Sequence, residues 1–340
     1  MAKFLVDIHV HFGAPGDPEK GDPCYWSKAF TKTPAYKAFR LVSGTWLTKL
    51  DLKKAKEHVI KIVEKSDKVG PCVLLAMDMV YDKNGDPHLK DRTQLYVSNE
   101  LIADLAHKRP DLFLFGASIH PFRRDWDIEI DKCVNNNAAL CKWIPSAQQI
   151  DMTDPKCERF YRKLAKVGLP LLCHAGPEKA IITADSFYDQ FNNPKHLEKA
   201  LDMGVTVIVP HCVLPFPPQD LETFEPHQEL LRLLRLADDK NWNLYVDVSA
   251  LFLLRNKYIP EVKNNIPAKR MLFGSDYPIP MFDFSYKNTH LPWEWLWRVS
   301  RSFFESNLLD KNYYQIEDTG IDPIVFMNAN RLFSKHIGLD

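Results

Sequence analysis

Two histidines lie one residue apart near the start of the sequence, in the run Asp-Ile-His-Val-His. If this run is a β-strand, His9 and His11 point to the same side, because side chains two residues apart share a face of a strand. Two parallel imidazoles can bind one divalent metal ion, and such an ion can activate water. Taken alone the pair is weak evidence, since paired histidines also occur in a core or on a surface.

Three further polar residues each end an apolar run elsewhere in the sequence. These are His174 in Leu-Leu-Cys-His-Ala-Gly, His211 in Val-Ile-Val-Pro-His-Cys and Asp276 in Leu-Phe-Gly-Ser-Asp-Tyr-Pro. A buried polar group without a partner costs a few kcal/mol, so five of them at the ends of apolar runs indicate a shared site.

The elements that must position these residues follow from the apolar runs. Eight of them predict strands, at 4–10, 72–79, 112–119, 139–144, 170–175, 206–211, 243–250 and 270–276. They are apolar on both faces, which is typical of a parallel sheet covered by helices. Helical periodicity lies between them, for example at 47–66, 94–109, 155–168, 196–204 and 225–240. This alternation predicts an α/β fold, a (β/α)8 TIM barrel, as one domain over residues 1–340. A doubly wound open sheet is disfavoured, because no Gly-x-Gly-x-x-Gly follows the first strand.

Three long connections follow predicted strands 1, 6 and 8, at residues 12–46, 215–224 and 277–293. Long loops in a compact domain are usually functional, and barrels carry their active sites at the carboxyl ends of the strands. We therefore expect these loops to cover the site.

Composition limits the function further. The chain has 340 residues, 45% of them hydrophobic and 26% charged, with 44 basic and 44 acidic side chains. This is ordinary globular composition, without the basic excess of a nucleic-acid binder and without a run long enough for a membrane helix. The seven cysteines form no Cys-x-x-Cys pair, and the N-terminal apolar run is too short for a signal peptide. We expect a cytoplasmic protein with reduced thiols and a small-molecule substrate.

The segments Asp-Ile-His-Val-His-Phe, Leu-Leu-Cys-His-Ala-Gly, Ile-Val-Pro-His-Cys and Phe-Gly-Ser-Asp-Tyr-Pro resemble, in this order, the amidohydrolase superfamily. They are most similar to its amidohydrolase-related branch, which includes aminocarboxymuconate semialdehyde decarboxylase, and residues 326–333 resemble the closing helix of that branch. The resemblance implies a barrel that holds a divalent metal, most often zinc. It implies His9, His11, His174 and Asp276 as ligands, and His211 as the general base or carbonyl polariser; Asp276 is a second candidate acceptor for the proton.

Lys142, in the fourth predicted strand, leaves the number of metals open. In binuclear members of the superfamily a lysine of strand 4 is carboxylated and bridges two ions, and His174 and His211 would then bind the second. An amine that contacts a substrate anion and a structural role are the alternatives. Lys142 lies earlier in its strand than His174 and His211 do in theirs, which disfavours the bridge. We therefore expect one ion per chain, and two only if Lys142 is carboxylated.

Three weaker candidates lie in loops. His120 ends the third predicted strand and Arg123 follows it, so either could orient an acyl or carboxylate group. An ordinary turn at His120-Pro121 is the alternative. Trp26 in the first long loop could cap a substrate or pack within that loop.

Two reactions fit this ligand set. The first is hydrolysis of an amide, lactone or C–C bond by metal-activated water. The second is non-oxidative decarboxylation of an aromatic or enol carboxylate, and the ligands alone do not separate the two. A closed structural metal site is disfavoured, because it needs neither long loops nor His211.

The Trp-rich segments make a homodimer plausible.

Overall fold

The computed structural model describes residues 5–42, 49–181, 183, 185–253, 255–279 and 305–338. Eight parallel strands form one sheet, in the order β1-β3-β5-β6-β7-β8-β9-β10, and β2 pairs with β4 in a separate antiparallel ribbon. The strands are β1 (Asp7–His11), β2 (Cys24–Trp26), β3 (Cys72–Leu75), β4 (Leu95–Val97), β5 (Phe113–Ala117), β6 (Ala138–Trp143), β7 (Leu171–Cys173), β8 (Val207–Val209), β9 (Leu244–Asp247) and β10 (Met271–Leu272).

Helices lie between these strands along the chain, and three more follow β10 among the described residues. They are α1 (Pro34–Val42), α2 (Leu52–Glu64), α3 (Asn99–Lys108), α4 (Trp126–Asn135), α5 (Pro145–Gln148), α6 (Pro155–Val167), α7 (Glu198–Asp202), α8 (Glu225–Asp239), α9 (Ile259–Asn265), α10 (Leu308–Asp318), α11 (Ile324–Leu332) and α12 (Ser334–Ile337). The predicted TIM barrel is confirmed, while the single domain over residues 1–340 stays a prediction. Within the described ranges, no helix is both long and apolar enough to cross a bilayer.

Backbone hydrogen bonds close the sheet on itself. Ile8 N–H donates to Phe273 O at 3.2 Å, and His11 N–H donates to Tyr277 O at 2.8 Å, so β1 contacts the segment that follows β10. Asp276 N–H donates in turn to His9 O at 2.9 Å. The first and last strands therefore place their polar residues side by side.

The core has two layers, as expected for a barrel. The inner layer fills the barrel with one or two side chains from each strand, among them Ile8, Val73, Leu75, Leu114, Leu140, Leu172, Ile208 and Leu272. Ala329 and Phe333 of the C-terminal segment belong to this inner layer. The outer layer lies between the strands and the helices.

Strand β1 departs from regular pairing, and this decides where His9 points. Its register with β3 shifts between Asp7 and Val10. Ile8 packs inside the barrel and Val10 in the outer layer, so strict alternation would send His9 outward. The irregularity lets His9 and His11 both face the barrel mouth, and both line the same cavity.

Two sequence-based expectations need correction. The periodicity predicts one helix over 94–109, but Leu95–Val97 is strand β4, and α3 begins only at Asn99. The Ser98 side chain accepts a hydrogen bond from Leu101 N–H and caps the helix. The first long loop, 12–46, contains β2 and α1, and β2 supplies the partner that makes 95–97 a strand.

Other predicted helices differ from the structure mainly in where they begin and end. Helix α2 begins at Leu52, capped by the Asp51 side chain, rather than at 47. The segment 196–204 is a 3-10 turn followed by the short α7. Most of the predicted loop 277–293 lies outside the described residues, as does residue 254.

Candidate active site

A cavity of about 460 Å³ lies at the carboxyl ends of the barrel strands. Five strands, or the residues just after them, supply six of its polar groups, which are His9, His11, Lys142, His174, His211 and Asp276. Glu178, Lys179 and Arg255 also line the cavity. The structure thus brings together all four predicted metal ligands, the predicted base and the doubtful lysine.

Three of the predicted ligands converge most closely. His9 Nε2 and His11 Nε2 are 3.1 Å apart. Asp276 Oδ1 lies 3.4 Å from His9 Nε2 and 3.2 Å from His11 Nε2. Burial would raise the pKa of Asp276, but the neighbouring imidazoles of His9 and His211 outweigh it and hold that pKa well below its usual range. A charged oxygen and two ring nitrogens form a donor set that suits a divalent ion.

The fourth predicted ligand, His174, has a nitrogen without a partner. Its Nε2 is buried and makes no hydrogen bond, and its Nδ1 is 3.6 Å from Glu178 Oε2, too long for one. Burial lowers the pKa of His174, which favours the neutral ring. A buried imidazole with an unused nitrogen in the same cavity as the other three donors fits a metal ligand.

Asp247, which the sequence analysis did not select, holds two of these histidines. Its Oδ2 is 2.8 Å from His9 Nδ1, and its Oδ1 accepts the backbone N–H of His211 at 2.9 Å. A carboxylate behind a metal-binding histidine fixes the ring and its tautomer. A signal was present in the sequence, because Asp247 is an acidic residue inside the predicted strand 243–250, directly after Leu-Tyr-Val.

His211 is held by a short hydrogen-bond chain. Its Nδ1 is 2.7 Å from Ser249 Oγ, and the Ser249 hydroxyl donates to Asp247. Because that hydroxyl has one proton, it must accept from His211 Nδ1–H, which leaves the lone pair on Nε2. This Nε2 is 3.5 Å from Asp276 Oδ2, and burial lowers the pKa of His211 well below its usual value.

Lys142 contacts the site directly. Its Nζ is 3.2 Å from His9 Nε2, and the side chain is fully buried. Burial lowers the pKa of Lys142. Lys142 reaches the cavity although it lies early in its strand, because it shares the inner face of β6 with Leu140, two residues before it, and pairs in register with Leu172.

The structure does not bring His120 or Arg123 to this cavity. The His120 ring lies between two backbone groups, with Nε2 2.9 Å from Gln148 O and Nδ1 accepting Phe122 N–H at 3.1 Å. Arg123 forms an ion pair with the buried Asp78 at 3.3 Å. The turn after β5 directs both side chains away from the barrel mouth, so both stay outside the lining of the candidate site.

The remaining cavity walls are mostly apolar. The segment after β1 contributes Phe12, Trp26, Phe30 and Phe39, and other loops add Ile144, Ile181, Phe216 and Leu253. The Trp26 ring packs against Phe30 and Phe39, with centroids 6.1 and 5.3 Å away. Trp26 therefore packs within its segment and also lines the cavity, while the capping of a substrate stays a prediction.

Residues 6–296 match the family model described as amidohydrolase. The chain therefore belongs to the amidohydrolase family, and the resemblance read from its sequence to the amidohydrolase-related branch is confirmed. A search of curated proteins finds no significant match.

Solved structures share the fold. An uncharacterised TIM-barrel protein from Bordetella bronchiseptica is 17% identical, with a TM-score of 0.59, and the alignment covers 98% of this chain and 99% of that one. A protein from Pseudomonas putida, itself only proposed to be a 2-pyrone-4,6-dicarboxylic acid hydrolase, is 12% identical, with a TM-score of 0.56 and 98% of both chains covered. The 5-carboxyvanillate decarboxylase of Novosphingobium aromaticivorans, solved with manganese and a nitrobenzoic acid, is 12% identical, with a TM-score of 0.53 and 98% and 96% covered. At these identities the likeness supports the fold alone.

Proposed function

We propose that this protein is a metal-dependent hydrolase of a small carbonyl compound, an amide, a lactone or a compound cleaved at a C–C bond, and that zinc is its metal. One observation carries the proposal. His9 Nε2, His11 Nε2 and Asp276 Oδ1 lie 3.1–3.4 Å from one another, and His174, which lines the same cavity, has a buried Nε2 without a partner among the described residues. Four such donors hold one divalent ion and leave room for a substrate oxygen.

When bound, the ion would supply a water of lowered pKa and polarise the substrate carbonyl. His211 supplies the proton chemistry beside it. Its Nε2 carries a lone pair that accepts the proton of the attacking water and then returns it to the leaving group. Ser249 and Asp247 hold the ring in the tautomer that this transfer needs. Asp276 Oδ2, 3.5 Å from His211 Nε2, stabilises the charge that develops on the ring.

The test combines metal analysis with a substrate screen. We expect about one zinc per chain in the protein as isolated, and hydrolysis of at least one compound among lactones and N-acyl compounds. His9→Ala and Asp276→Ala should lose both metal and activity, whereas the exposed His107→Ala should keep both. Full metal occupancy in either site variant contradicts the proposed ligand set.

Two outcomes of the same screen select other functions. Release of CO₂ from an aromatic carboxylate would identify a decarboxylase, the reaction named for the Novosphingobium aromaticivorans relative. Close to two metals per chain, with a carboxyl group on Lys142, would identify a binuclear site in which His174 and His211 bind the second ion.

We also propose a cytoplasmic location. All seven cysteines are buried free thiols, which fits a reducing compartment. The homodimer expected from the sequence stays a prediction, and sedimentation of the purified chain would test it.

A further inference from the structure

Arg255 is a buried cation in the wall of the candidate site. It follows β9, its side chain is only 6% exposed, and it lines the same cavity as His174, His211 and Asp276. Its Nε is buried without a hydrogen-bond partner. Among the described residues, its guanidinium makes no hydrogen bond and no ion pair. Burying an arginine costs free energy that a counter-ion normally offsets, so this one calls for an explanation.

The nearby carboxylates are engaged elsewhere. Glu178 Oε1 accepts the backbone N–H groups of Ala180 and Ile181 at 2.5 and 2.9 Å, and its Oε2 is directed at His174. Asp276 lies between His9, His11 and His211. Both act on Arg255 only at longer range: burial lowers the pKa of Arg255, and Asp276 and Glu178 offset part of that effect.

The guanidinium lies over an aromatic ring. The Arg255 Cζ lies 5.7 Å from the centroid of the Phe216 ring, which also lines the cavity. A guanidinium stacked on a ring face keeps its in-plane N–H groups available at the edge. That edge matches the two oxygens of a carboxylate, which a guanidinium can bind through two parallel hydrogen bonds.

We propose that Arg255 forms the carboxylate subsite of the substrate cavity. The substrate is an apolar body that carries a carboxylate; Arg255 holds this carboxylate while a separate carbonyl group lies at the four metal-binding donors. The apolar walls of Phe12, Trp26, Phe30 and Phe39 hold the body between the two ends. This inference rests on the proposed function only in taking the cavity as the substrate site.

The test uses two probes of nearly the same shape, benzoate and benzamide, titrated calorimetrically into the zinc-loaded full-length protein. We expect the wild type to bind benzoate at least about 10-fold more tightly, because only benzoate offers a charged bidentate partner. Arg255→Gln should abolish this preference, and Arg255→Lys, a point charge without the fork, should reduce it. The matched control is Arg124→Gln, since Arg124 is 69% exposed and lies outside the cavity lining, and its preference should equal that of the wild type.

Each outcome decides the inference. Equal binding of the two probes by the wild type overturns it without any variant. A benzoate preference that survives in Arg255→Gln also overturns it, because the carboxylate is then bound elsewhere, for example by zinc. If Arg255→Gln does not fold, Arg255→Lys decides, and an unchanged preference there overturns the inference. Turnover is not measured, so a protein that passes this test but hydrolyses nothing contradicts the proposed function alone.

Discussion

The proton positions on two histidines follow from one carboxylate, Asp247. Burial raises the pKa of Asp247, but His9 and His211 lower it by more than burial raises it. Asp247 therefore stays charged and can only accept hydrogen bonds. His9 must therefore donate from Nδ1, and the Ser249 hydroxyl must donate as well. Both imidazoles consequently turn an unprotonated Nε2 toward the cavity, which is the form that binds a metal or accepts a proton.

This arrangement predicts the effect of Asp247→Asn. Both oxygens of Asp247 accept hydrogen bonds, but an asparagine has only one accepting oxygen. Its NH2 group would therefore take the place of the other oxygen and face a group that donates. If that donor is His9 Nδ1–H, the proton moves to Nε2 and blocks the lone pair needed for the metal. We expect zinc affinity to fall about 10- to 100-fold, measured by chelator competition. The exposed Asp189→Asn should bind zinc as the wild type does, and an unchanged affinity in Asp247→Asn would contradict the role given to this carboxylate.

A second residue-scale prediction separates His174 from His211. His174→Asn removes one of four proposed ligands and should lose the bound metal. His211→Asn should keep the metal and lose about 10²–10⁴-fold in turnover, the usual contribution of a general acid–base group. Metal analysis of the two variants side by side is the measurement. Equal metal loss from both would show that His211 is itself a ligand.

At the scale of elements, the turns after the strands have unusual backbone. His211, Cys212 and Val213 have φ values of 56°, 51° and 52°, and Asp276 has 58°. Residues other than glycine rarely adopt this left-handed backbone region, because it costs them about 1–2 kcal/mol each. The chain adopts it where the strands end and the candidate ligands begin, a common place for strain in functional sites.

The turn after β7 supplies a testable case. Gly176 has φ +85°, and a Cβ built there would lie 2.9 Å from Val213 Cγ1 in the neighbouring left-handed turn. Gly204 has φ +81° but nothing within 4 Å of its Cβ position. Gly204→Ala should cost only the backbone term, about 1 kcal/mol of unfolding free energy, and Gly176→Ala should cost about 1–3 kcal/mol more. Urea denaturation of both variants measures the difference, and equal losses would show that the Val213 contact does not matter.

Local sequence pattern predicts the eight barrel strands, because each is a short, mostly apolar run and helical periodicity lies between them. It does not predict β4, since Leu95–Val97 becomes a strand only by pairing with Cys24–Trp26, far away in the chain. It also does not show which way a loop side chain turns. His120 and Arg255 both follow strands, yet His120 binds the backbone of Gln148 and Arg255 lines the cavity.

At the scale of the whole molecule, buried neutral histidines make stability depend on pH. His120 is the clearest case outside the candidate site. Burial lowers its pKa from 6.5 to about 3, although its contact with Gln148 O acts in the opposite direction. A second proton would have to go on Nδ1, which already accepts Phe122 N–H. The unfolded chain therefore binds one more proton at this residue between pH 6.5 and 3, and folding loses stability as the pH falls through that window.

We predict that His120→Gln weakens this acid sensitivity. The free energy of unfolding of metal-free protein should decline less steeply below pH 6.5 in the variant, by up to about 1.4 kcal/mol per pH unit, the value for one proton. The readout is the slope and not the stability at neutral pH, because the substitution also changes the buried turn itself. The exposed His107→Gln should keep the wild-type slope, and the same slope in both variants would contradict the prediction.

The antiparallel ribbon of β2 and β4 joins the segment after β1 to the chain just before α3. That segment carries Trp26 and Phe30, while the candidate reacting groups come from the strand ends. Much of the apolar wall and the candidate reacting groups are thus encoded by different stretches of the gene. Exchange of residues 12–42 between relatives could redirect such an enzyme to a new compound while its chemistry stays as it was.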